Sequence, residues 1–257
     1  MNRDFRSCLA AFGLCLMGSV HAQTEAAEGR WSIGASSWSG AAYRSLLNTD
    51  GSVLADQIIA SRDDRERPEV TVGGGFNAAY RLSQRFSLEA GVAYARFGYA
   101  ISVDLSDLSF GDAIDPRRGF IYNTGDQALP SSWRFIDRFH YLEVPIGLMI
   151  ELGEGRWRSS TTLGVAPAFL LIAQGITVSE YSDGRIERES FELPEETSSF
   201  NLIPYFSTGL SMHPGGRWHW SLRPTFRYGA LKIIDAPLSA RGYSLTLDLG
   251  VGLRIGK

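Results

Sequence analysis

Eight stretches of this 257-residue chain alternate apolar with polar or small residues. The connections between them are short and long in turn, and aromatic residues gather at their ends. These three observations predict an all-β protein: a closed eight-stranded antiparallel up-and-down transmembrane β-barrel. A period of two gives each strand one greasy and one polar face. In lipid every backbone N–H and C=O needs a partner, so a sheet spans only when it closes on itself. A strand tilted by about 45° crosses in some 9–11 residues, and most of the stretches reach that length.

The N-terminus reads as an address. Arg3 and Arg6 precede an apolar run over 8–20, and Val20-His21-Ala22 resembles a cleavage site. The expected division is a signal peptide at 1–22 and a barrel domain at 23–257. Cys8 and Cys15 leave with the signal, so a disulfide and a cysteine metal site are excluded from the remainder. Its removal takes the net charge from −3 to −4, which argues against a nucleic-acid partner. No run of eighteen apolar residues follows the N-terminus, so no spanning helix is expected.

The first strand is expected at 30–37, with Trp31, Ile33 and Ala35 against Ser32, Gly34 and Ser36. A long polar connection over 40–68 follows. Val53, Leu54, Ile58 and Ile59 behind Ser52 suit a short helix there, and the charged cluster 62–67 reads as solvated. In the second strand, 70–82, Val70, Val72, Phe76, Ala78 and Tyr80 share one face. The third, 86–103, places Phe86, Leu88, Ala90, Val92 and Tyr94 together. Its apolar phase then flips to Phe97, Tyr99, Ile101 and Val103, predicting a bulge near Ala95 or Arg96. After a connection at 104–138, the fourth strand spans 139–152, with Leu142, Val144, Ile146, Leu148 and Ile150 in alternation.

The fifth strand covers 157–178, with a break expected at Pro167, and a charged loop occupies 179–198. The sixth, 200–212, has no clear phase. The seventh, 218–230, sends Trp218, Trp220, Leu222, Pro224, Phe226 and Tyr228 one way. The eighth, 241–256, states the pattern most fully: Tyr243, Leu245, Leu247, Leu249, Val251, Leu253 and Ile255 alternate with Ser244, Thr246, Asp248, Gly250, Gly252 and Arg254. Pro145, Pro167, Pro204 and Pro224 fall inside these strands and predict bulges or broken pairing. Short turns near Ser83, Gly153 and Gly215 belong with the chain ends on the periplasmic side, and the long loops lie outside.

Tyr141-Leu142-Glu143-Val144-Pro145, followed by Ile146-Gly147-Leu148, resembles the "YLEIP" segment of the small outer-membrane β-barrel family that includes the PorT-like proteins. Over roughly 30–257 the resemblance implies a Gram-negative outer-membrane barrel with a periplasmic N-terminus; for most members it implies no defined activity. It also implies outer-membrane lipid and the barrel-assembly machinery as partners, with a protein or surface ligand expected at loops 40–68, 104–138 and 179–198. One departure stands out. Such barrels often finish on an aromatic residue, whereas this chain finishes Arg254-Ile255-Gly256-Lys257.

The strand phases point Arg81, Glu89, Glu143, Arg158, Arg223, Arg227, Asp248 and Arg254 inward. An eight-stranded barrel is just wide enough to be filled by side chains, and single buried charges are costly, so these should pair. Five arginines against three acids would also suit a narrow anion-leaning pore; a plugged lumen is the favoured expectation. His140 with Ser131, Ser132 and Asp137 is the one set that a hydrolase acting on lipid or peptide would use, and a surface histidine is favoured instead. His213 and His219 flank a turn, away from metal spacing. Asp104, Asp107, Asp112 and Asp115 offer oxygen ligands without a calcium-loop pattern, so a solvated loop is favoured. Gly73-Gly74-Gly75 lacks the following helix of a nucleotide loop. The expectation is a non-enzymatic, porin-like barrel with no cofactor and no metal, serving envelope structure, loop-mediated binding or limited solute passage. A soluble ligand-binding barrel would reverse the phase, with an apolar interior and a polar outside.

Overall fold

The computed structural model describes residues 30–49, 51–63, 65–105, 112–114, 121–123, 130–153, 155–193, 197–213, 217–234 and 238–255. The expected signal peptide lies outside them. Twelve strands and one helix follow in order: β1 (Trp31–Asn48), α1 (Val53–Asp63), β2 (Glu66–Arg81), β3 (Phe86–Asp104), β4 (Asp112–Ile114), β5 (Ile121–Asn123), β6 (Pro130–Glu143), β7 (Ile146–Leu152), β8 (Trp157–Tyr181), β9 (Ile186–Glu192), β10 (Phe200–Met212), β11 (Trp218–Tyr228) and β12 (Leu238–Ile255). β6 and β7 are one wall strand in two pieces, since β3 and β8 flank both. The wall then runs β1, β2, β3, β6/β7, β8, β10, β11, β12 and back to β1 by antiparallel pairing throughout. Eight strands in chain order close the ring, which leaves no open edge along the wall.

The wall is greasy outside and polar inside. On β12, Leu245, Leu247 and Leu249 are 61%, 49% and 57% exposed, while Ser244 and Thr246, which alternate with them, are buried. That is the polarity of a membrane-spanning barrel and the reverse of a soluble one. Aromatics mark both edges of the greasy band. Trp31, Phe86, Trp157, Trp218 and Trp220 stand exposed near the short-turn end. Near the loop end Tyr43, Tyr243 and Tyr228 face one another across β1, β12 and β11. Trp31 to Tyr43 is twelve residues along β1. At about 3.3 Å per residue and a tilt near 45°, this is a height of about 28 Å, close to the apolar thickness of a bilayer.

Several expectations need correction. β1 continues well past Ser37, because its Ser, Gly and Ala residues sit between two long partners and need no apolar side chains to stay extended. β2 begins at Glu66, so the cluster 62–67 is not wholly solvated: Glu66 is buried against Arg44. β6 reaches back to Pro130 and β9 occupies part of 179–198, so strand extends into both loops. α1 lies where the short helix was expected.

β3 has no bulge at Ala95 or Arg96, and its pairing with β6 runs in unbroken register from Ala93 to Asp104. The irregularity lies on β2, between Pro68 and Val72. The apparent flip arises because Phe97 and Tyr99 are inward residues of an aromatic core with Phe139 and Tyr141. Each proline sits where pairing with at least one neighbouring strand lapses, while Pro167, Pro204 and Pro224 stay in register with the other neighbour. Pro145 separates β6 from β7 and faces the same gap as Pro167, whose carbonyl accepts from the Val144 N–H at 2.9 Å. β8 stays continuous through Pro167. Pro224 lies in the pairing gap between Ser207–Thr225 and Leu210–Leu222, and Pro204 lies just beyond the last β10–β11 pair.

Candidate functional site

The lumen is built in three tiers. At the short-turn end, Arg81 and Arg254 line one small cavity with Glu151, His213 and His219. Arg158 Nη1 lies 3.7 Å from Glu151 Oε2. The two histidine rings stack at 5.7 Å. His213, in the turn after β10, is pushed down to about 4, first by burial and then by Arg254, Arg158, His219 and Arg81. It is therefore neutral at pH 7, and its 4.0 Å approach to Glu151 is not an ion pair there.

The middle tier pairs its charges across the barrel. Arg223 Nη1 reaches Glu89 at 3.5 Å and donates to Thr162 Oγ1 at 3.4 Å. Arg227 pairs with Glu143, and its guanidinium lies 4.9 Å from the Trp38 ring centroid. Asp248 accepts from Thr225 at 2.9 Å and from Thr246 at 2.8 Å. The space these groups share is shaped by missing side chains. A Cβ on Gly73 would strike the Trp38 ring, and one on Gly164 would sit 2.5 Å from the Tyr205 hydroxyl.

At the loop end Tyr99, Phe139, Tyr141, Ala168 and Ile233 form an apolar stopper, with Phe97 and Ile203 packed against it. The Arg44 guanidinium carbon lies over the Tyr99 ring, 3.7 Å from its centroid, and Arg44 donates to Glu66 through Nε at 2.7 Å. Four interior cavities among the described residues measure about 30 to 70 Å³, room for a few waters each.

The eight charged residues named from the sequence all fall on the lumen side. Glu89, Glu143, Arg158, Arg223 and Arg227 form ion pairs, Asp248 takes hydroxyls, and Arg81 and Arg254 share the lowest cavity. Glu151, Trp38, Tyr205 and the Arg44–Glu66 pair were missed. Glu151 was recoverable, since the alternation that turns Glu143 inward turns Glu151 inward too.

The hydrolase set does not assemble. His140 faces out of the barrel and bonds the Tyr94 hydroxyl at 2.5 Å. Asp137, three residues away on the same strand, is buried on the opposite face. Ser131 and Ser132 turn to Glu180 of β8. Of the acidic-loop residues, Asp107 and Asp115 lie outside the described residues. Among the described residues no group of three or more His, Cys, Asp or Glu is placed to hold a metal ion.

No family model and no curated protein sequence matches the chain. Solved structures similar to it include small outer-membrane barrels. The attachment invasion locus protein Ail of Yersinia pestis is 13% identical with a TM-score of 0.35, covering 88% of this chain and 100% of its own. Neisserial surface protein A is 11% identical at 0.38, covering 90% and 100%. The outer membrane protease OmpT of Escherichia coli is 8% identical at 0.38, covering 91% and 100%. At such identities and scores these likenesses transfer no activity.

Proposed function

We propose that the chain is a non-enzymatic outer-membrane barrel of Gram-negative type with a sealed lumen, acting through its loop-end surface. One observation carries this reading. Ion pairs hold the charges in the middle of the lumen and a buried aromatic cluster packs at its loop end, inside a wall whose outer face suits lipid. A sealed cylinder leaves its ends as the working surfaces. Above the ring β3, β6, β8 and β9 continue as a raised sheet, a platform for a protein or surface ligand. In this reading lipid contacts the leucine-rich wall, and the barrel-assembly machinery inserts the chain.

The test is fractionation with detergent extraction, then single-channel recording in a planar bilayer. The expected result is recovery with outer membranes and no stable conductance. Recovery as a soluble periplasmic protein would overturn the membrane reading, and a large steady conductance would overturn the seal.

A further inference from the structure

We propose that the outer wall carries a docking site for the phosphate of an anionic lipid, built from Arg96, Arg134 and Arg138 at the upper edge of the apolar band. On β3 the outward residues climb from Phe86 through Leu88, Ala90, Val92 and Tyr94, and the next is Arg96. On β7 and β6 they climb from Leu152 to Leu142, then become His140, Arg138 and, higher, Arg134. Arg96 stands opposite His140 and Gly98 opposite Arg138, so the greasy-to-cationic switch falls at one level on both strands. From Phe86 to Arg96 is ten residues. At about 3.3 Å each and a tilt near 45° this is a rise of about 23 Å, the height at which an apolar band of about 25 Å gives way to headgroups.

The cluster carries more cation than it neutralises. Glu69 takes Arg138 at 2.7 Å and Arg134 at 3.3 Å. It reaches them over Gly98, where a Cβ would lie 3.3 Å from Glu69 Cγ and 3.5 Å from Arg138 Cγ. Arg96 donates only to the Val70 carbonyl, at 3.3 Å, and has no carboxylate partner among the described residues. The Nε atoms of Arg96 and Arg138 are buried without a partner. Three guanidiniums thus face one carboxylate, beside Tyr94 and His140, which bond one another. A phosphate supplies the missing negative charge and the planar oxygen pair that a guanidinium fork grips in bidentate fashion. The acyl chains of the same molecule then lie on Val92, Tyr94 and Leu142, all exposed below or beside the cluster. A phosphate carried on a lipid therefore fits both halves of the surface, whereas a free phosphate fits only the upper half. Arginines that merely stretch toward water would show no such preference.

This inference rests on the membrane reading, and the experiment separates the two. The purified chain is inserted into phosphatidylcholine nanodiscs, with heat-modifiable gel migration as the sign of a folded barrel. Phosphatidic acid is then added, and the lipids retained after release are counted by native mass spectrometry. Phosphatidic acid should be retained about tenfold over phosphatidylcholine, and Arg96→Gln with Arg138→Gln should erase the preference. Glu69→Gln, which leaves the cluster one charge more positive at nearly the same volume, should strengthen retention several-fold. Arg185→Gln with Arg188→Gln, on the loop hairpin, should change nothing. Equal retention of both lipids by the inserted protein, or no gain with Glu69→Gln, would overturn the site alone. Full displacement of the lipid by 10 mM inorganic phosphate (about that concentration) would overturn its lipid source. Failure to insert into phosphatidylcholine would instead overturn the membrane reading.

Discussion

At the residue scale, the interior is held by pairs whose halves cannot be removed singly. Glu143 is almost wholly buried and faces Arg227. Glu143→Ala strands the guanidinium, and a buried charge without its partner costs about 3–5 kcal/mol. Urea unfolding in lipid vesicles should show that loss, and the double variant with Arg227→Ala should recover part of it. Gly164 faces Tyr205 and the Ile146 carbonyl, each 2.5 Å from where a Cβ would lie. Gly164→Val should therefore cost about 1–3 kcal/mol by overpacking, read in the same assay. His213 adds a pH dependence. Its folded value of about 4 lies below its ordinary 6.5, so the unfolded chain binds more protons between those values. Stability should fall as pH drops from about 6.5 to 4, and His213→Gln should flatten that part of the profile.

At the scale of the element, legibility followed the alternation. β12, β11 and the lower half of β3 could be read because their outward residues are large and their inward ones polar or small. β1 beyond Ser37 could not, since Ser39, Gly40, Ala41 and Ala42 carry no contrast and are held extended by the strands on either side. β10 hid its phase because inward Ile203 and Tyr205 are as apolar as outward Leu202 and Phe206. In upper β3 the stopper puts aromatic residues inside, which imitates a bulge. The charged lumen was legible for the same reason that β12 was, whereas Arg44–Glu66 was not: both residues lie in stretches read as loop. The outward face of β12 makes its own prediction. Leu249 lies midway between Tyr243 and Ile255. Leu249→Arg should destabilise the inserted barrel by about 2–4 kcal/mol, the cost of an arginine near the bilayer midplane. Vesicle unfolding checks it.

At the scale of the whole molecule, one division organises everything: an apolar face outside, paired charge and aromatic packing inside. It accounts for the row of exposed leucines on β12, which on a soluble protein would form a large apolar patch. The most direct test uses the absence of cysteine from residues 23–257. Single cysteines placed in turn at 243–252 of the bilayer-inserted chain are spin-labelled, and their exposure to oxygen and to a water-soluble nickel reagent is measured. Odd positions, Leu245, Leu247 and Leu249 among them, should be reached by oxygen, and even positions from Ser244 to Gly252 by neither reagent. Nickel reaching the odd positions while oxygen reaches the even ones would contradict the account.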